Sequence, residues 1–148
     1  MSTKEIDVKE ALYIVAAAQL SVAVLNLFLV RIMKWEEAVA RMPQLVREVF
    51  HVHAWFITIT LAIFGVVTIR FAGELAAGTN DLGRWLVAGI GIFWLIRWLM
   101  QFFYYDSNHW GGKRAETIVH IALIFLYGSL AGVYLLAGFQ GQPVNVTP

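Results

Sequence analysis

Four apolar runs, residues 11–30, 49–69, 85–105 and 117–139, take up most of this chain. Each is close to the ~20 residues that an α-helix needs to cross a hydrocarbon core ~30 Å thick at ~1.5 Å per residue. Lipid offers the backbone no hydrogen-bond partners, so runs of this length fold as helices, which satisfy their own amides. The expected fold is therefore all-α: an integral membrane four-helix bundle of up-down topology. The spans run at about 11–33, 49–71, 84–105 and 116–139, and residues 1–148 form a single transmembrane domain.

Composition narrows the function classes. The chain is 59% hydrophobic and 14% charged, with a net charge of +1, which excludes disordered and nucleic-acid-binding chains. It has no cysteine, so disulfides, thiolate metal sites and covalently attached c-type haem are excluded. The leader mixes Lys4 and Lys9 with Glu5, Asp7 and Glu10. A cleavable signal needs a positive start and a shorter apolar segment, so the first run is expected to remain as a span.

With four spans both termini share one face, side A, together with a loop around 72–82. Side B carries the connections 31–48 and 106–116. Lys4, Lys9, Arg70 and Arg84 flank side A, whereas Arg31, Lys34, Arg41, Arg47, Lys113 and Arg114 flank side B. The excess of basic residues orients side B to the cytoplasm of a bacterial-type inner membrane. Within the first connection, Trp35, Val39, Met42, Leu45 and Val46 alternate with charges. This pattern suits either a short interfacial helical turn interrupted at Pro43 or a plain linker. Gly111 and Gly112 mark a turn, and the tail 140–148 is polar.

Polar side chains inside spans are costly and usually face protein or water. Here they gather toward side B: Asn26 on the first span, Glu48, His51 and His53 on the second, Arg97, Gln101, Tyr104 and Tyr105 on the third, and Glu116 and His120 on the fourth. Gln19 is the exception, seven residues from Asn26 on the same stripe. Glu48 and His51 share a helix face, as do Glu116 and His120. His51 and His53 lie ~200° apart around a helix, so the two cannot both point at a bundle centre. Arg97, Gln101 and Tyr104 form one stripe suited to an anion, a haem propionate or a lipid phosphate.

Three readings of the histidines follow. In the first, His120 with His51 or His53 ligates haem b from diagonal helices, which resembles the ligand arrangement of membrane b-type cytochromes. Against it, Trp94, Arg97, Trp98 and Gln101 crowd the level at which a haem plane needs small residues, and Gly89 and Gly91 lie nearer the other end. In the second, a single transition metal is held by His51 or His53, by His120, and by a carboxylate of Glu48 or Glu116, with His109 as a weaker ligand. In the third, Trp35, His51, His53, Trp55, Tyr104, Tyr105, His109 and Trp110 form an interfacial aromatic belt, and the protein is a non-catalytic accessory or assembly subunit. This third reading is the expected one. A lipid-headgroup or small-transport role, with Arg97 gripping a phosphate, is a further alternative. The expected partners are the bilayer and other membrane subunits. Gly128 and Gly132, small residues four apart, admit a close helix, which is expected to be a neighbour in the same bundle, with a second copy of the chain or another subunit as the alternative.

Overall fold

The computed structural model describes residues 3–103 and 114–139, with side chains over 7–103 and 117–139. Five helices follow one another: α1 (Thr3–Ile32), α2 (Glu36–Ala40), α3 (Gln44–Ala77), α4 (Asp81–Phe103) and α5 (Arg114–Phe139). The all-α class holds, and no strand occurs among the described residues. Four of the helices are long and apolar enough to cross a membrane. The connection 104–113 and the tail 140–148, with the turn expected at Gly111 and Gly112, lie outside the described residues.

The long helices need no proline-free luck to stay intact: their hydroxyls are disarmed locally. Ser21, Thr58, Thr60 and Thr68 each donate to the carbonyl four residues earlier, at Ala17, Ala54, Phe56 and Phe64. A hydroxyl in lipid must find an acceptor, and its own helix supplies one.

The helix ends are built from specific residues. After α1 the chain turns through a Schellman motif. Trp35 N–H donates to the Val30 carbonyl at 2.8 Å, and Lys34 N–H to Arg31 at 3.2 Å. The residue between has to be left-handed, and Lys34 takes φ 55° there, a position that glycine fills more easily. Helix α2 then buries Val39 before Pro43 breaks the chain, so the connection does contain the short helical turn. The Pro43 carbonyl accepts the Arg47 N–H at 3.0 Å and starts α3.

Helix α3 runs well past the expected 49–71 at both ends. Hydropathy marks the part that lies in lipid. The flanking stretches, 44–48 with Gln44, Arg47 and Glu48 and the alanine-rich 72–77, simply continue the same helix. The loop expected around 72–82 shrinks accordingly to 78–80. Gly78 ends α3 at φ 61°, its N–H bonded to the Glu74 carbonyl, and Asn80 Oδ1 caps α4 by accepting the Leu82 N–H at 2.9 Å.

The chain groups into two compact units, one of residues 16–70 and one of 1–15 with 71–148. In the first, α1 and α3 pack antiparallel. A Cβ on Gly65 would fall 2.7 Å from the Leu20 side chain, so glycine is what admits Leu20 there. In the second, α4 and α5 pack antiparallel. A Cβ on Gly91 would lie 2.9 Å from the Leu135 backbone nitrogen, and one on Gly138 would lie 3.1 Å from the Ala88 nitrogen. Trp94 and Tyr127 stack between these two helices with ring centroids 5.3 Å apart. Arg84 Nε reaches the Gly138 carbonyl at 3.5 Å, placing a cation at the negative end of α5.

Candidate functional site

In the α1–α3 unit the intramembrane polar groups close on each other. Gln19 is fully buried, and its Nε2 donates to the Leu61 carbonyl at 2.9 Å. One heptad on, Asn26 Nδ2 donates to the Ala54 carbonyl at 2.9 Å and to Thr58 Oγ1 at 2.7 Å. Seven residues is two turns, so both amides face α3, and they tie the two helices at two levels. Interhelical amide bonds of this kind are a standard adhesive where no hydrophobic force can drive helices together.

The α3 residues singled out from sequence lie at the start of that helix. Glu48 is exposed and accepts a hydrogen bond from Gln44 Nε2 at 2.9 Å. His51 and His53 are both exposed, on opposite sides of α3. His51 meets its neighbour Phe50 edge to face at 5.7 Å. His53 Nδ1 lies 3.2 Å from the Val49 carbonyl, so the tautomer with the proton on Nδ1 donates there and leaves Nε2 facing outward.

The α4–α5 unit holds the other candidates. Along α4, Val87, Ile90, Trp94 and Gln101 are buried at 1% exposure or less and define the inward stripe. Arg97 falls on that stripe, three residues past Trp94 and four before Gln101. Its guanidinium carbon sits 5.1 Å from the centre of the Tyr127 ring, a cation–π contact. Among the described residues no carboxylate lies within ion-pair distance of Arg97; the ion pairs Arg41–Glu37 and Arg84–Asp81 lie elsewhere. Gln101 is 1% exposed, yet among the described residues neither its Nε2 nor its Oε1 has a hydrogen-bond partner.

His120 is half-buried on α5. Glu116 lies in the first turn of α5, where the backbone alone is described, and Tyr104, Tyr105, Asp106, His109 and Trp110 lie outside the described residues. Among the described residues no three histidine or acidic side chains gather as a metal ion would require. The structure thus joins Asn26 to Thr58, Glu48 to Gln44 and Arg97 to Tyr127. His51 and His53 belong to one unit and His120 to the other. Gly128 is engaged inside the chain, since a Cβ there would meet Trp98 Nε1 at 3.0 Å, whereas Gly132 faces open space.

Thr58 and Tyr127 were missed from sequence. A threonine or tyrosine inside an apolar run looks like filler until the partner across the helix pair is known. The i, i+7 spacing of Gln19 and Asn26 was the available clue to Thr58.

Four helices of membrane-spanning length and hydropathy make this a multi-pass helical membrane protein. Comparison with protein-family models, with curated proteins and with solved structures finds no match.

Proposed function

We propose that the protein is a non-catalytic membrane subunit, an accessory or assembly component of a larger membrane complex. In this reading it sits in a bacterial-type inner membrane with the His51 end of α3 on the cytoplasmic side. The observation that supports it is the fate of Gln19, Asn26 and Thr58. These intramembrane polar groups are consumed in holding α1 to α3, which is adhesive work and leaves them no chemistry to perform. The outer stripe of α3, Val52, Phe56, Ile59, Ile63 and Val66, is exposed and wholly apolar, as suits a surface covered by lipid or by another subunit.

The test is isolation from native membranes in a mild detergent, with quantitative mass spectrometry and an absorption spectrum of the same sample. A multi-pass partner in fixed ratio, with neither a Soret band nor a stoichiometric metal, is the expected result. The chain purifying alone with a full complement of haem or metal would overturn it.

A second reading, a haem b or single-metal redox subunit, draws support from His53. A ring whose Nδ1–H is pinned to a carbonyl is held in one tautomer with Nε2 ready to ligate. The same spectrum decides between the two.

A further inference from the structure

Arg97 and Gln101 present unused hydrogen-bonding capacity on one stripe of α4. The guanidinium carbon lies 5.1 Å from the centre of the Tyr127 ring, and among the described residues nothing accepts a hydrogen bond from its N–H donors. Arg97 lies six residues before the last described residue of α4, Phe103, which is ~9 Å along the helix. Its head is held over Tyr127 at that level, where a cation without a counter-charge is strongly disfavoured. One turn further on, an amide that is 1% exposed has two unpaired polar atoms. Buried amides of this kind are ordinarily satisfied, and the described residues offer Gln101 nothing.

The two side chains have complementary needs. A guanidinium offers paired donors in a fork that fits two oxygens of one oxyanion. The Gln101 Nε2 offers a third donor, while its Oε1 needs a donor in return. A bare carboxylate satisfies the first three and leaves Oε1 unpaired. A phosphate group that carries a hydroxyl or ammonium beside its charged oxygens satisfies all four.

We propose that Arg97 and Gln101 form a membrane-embedded receptor for a phosphate group with an adjacent hydrogen-bond donor. Half-buried Arg97 is the entrance, and Gln101 turns to meet the ligand behind it. Two sources share this chemistry: the headgroup of phosphatidylglycerol or phosphatidylethanolamine, and free monoanionic phosphate. The site rests on α4 lying in a bilayer and is independent of whether the protein has a partner subunit.

The experiment uses the full chain, delipidated in detergent and titrated in separate arms with phosphatidylglycerol, phosphatidylethanolamine, a phosphate-free glycosyl diacylglycerol and inorganic phosphate. Bound lipid is counted by native mass spectrometry, and thermal unfolding is followed in every arm. The wild type is expected to retain one phospholipid in preference to the glycolipid, or to be stabilised by inorganic phosphate if the free ion is the ligand. Arg97→Lys keeps the charge but loses the fork, and it should weaken retention by about tenfold, the loss of one strong charge-assisted bond. Gln101→Leu should lose retention to a similar degree and yet raise the unfolding temperature of the delipidated protein, because it removes two unpaired polar atoms. That opposed pair of effects separates a ligand contact from a packing role. Equal retention of glycolipid and phospholipid, or unchanged retention in both variants, overturns the site. So does an Arg97-dependent complex with an acidic membrane peptide in the absence of any phosphate. None of these outcomes bears on the partner-subunit test, which reads the composition of the native complex.

Discussion

The backbone nitrogen of Leu135 on α5 lies where a Cβ on Gly91 of α4 would be only 2.9 Å away. The Leu135 side chain is as close, with Cγ at 2.8 Å and Cδ2 at 2.9 Å, but the backbone nitrogen cannot swing aside as a side chain can. Gly89, two residues earlier on the same helix, has nothing within 4 Å of its would-be Cβ.

This contrast makes the first prediction. Gly91→Ala should destabilise the protein by about 1–3 kcal/mol, the usual cost of overfilling a packed contact. Gly89→Ala should be neutral, or stabilising by up to ~1 kcal/mol from helix propensity alone. Reversible unfolding in mixed detergent micelles measures both. Equal effects would mean that α4 and α5 do not approach as described.

Asn26→Leu should cost about 0.6 kcal/mol and at most ~1.7 kcal/mol, the average and the largest values for interhelical hydrogen bonds in membranes. Asn26 donates to both Ala54 and Thr58, so Thr58→Val in the same background should add less than it does alone. A double-mutant cycle reads the coupling directly, and strict additivity would show that the pair is not in contact.

Lys34→Gly should stabilise the protein by about 1–2 kcal/mol, since it relieves a side chain held in the left-handed region. A β-branched residue fits that region worse, so Lys34→Val should destabilise. If glycine and valine behave alike, the Schellman turn is not what ends α1.

The extent to which these features could be read beforehand follows from what each signal measures. Run length gave the four long helices, because lipid forces any long apolar segment to be one. It did not give the ends of α3, since residues 44–48 and 72–77 flank the apolar run and are still helical. The small-residue pattern drew attention to Gly128, which does pack against Trp98, but not to Gly138, whose close neighbour Ala88 is known only once the register of α4 on α5 is known. Of the candidate site, the stripe joining Arg97 and Gln101 follows from helical spacing. The missing partners of Gln101 do not, because satisfaction depends on every neighbouring side chain.

The chain has no cysteine, so single cysteines report topology cleanly. Glu37→Cys and Thr79→Cys flank α3 at its two ends. An impermeant maleimide applied to sealed vesicles should label one and spare the other, with position 37 on the cytoplasmic side. Labelling of both from one side would remove α3 as a span.

Helix α3 is 34 residues long, or ~51 Å, against a hydrocarbon thickness of ~30 Å. Such a helix is not gauged to one bilayer. It can lean in a thin membrane and straighten in a thick one while its ends stay among headgroups and water, so α3 itself exerts little hydrophobic mismatch. Helix α4, at 23 residues, has far less slack. The thickness of the membrane in which this protein is comfortable is therefore dictated by its shorter helices, and α3 acts as a mast that rides through changes in lipid composition.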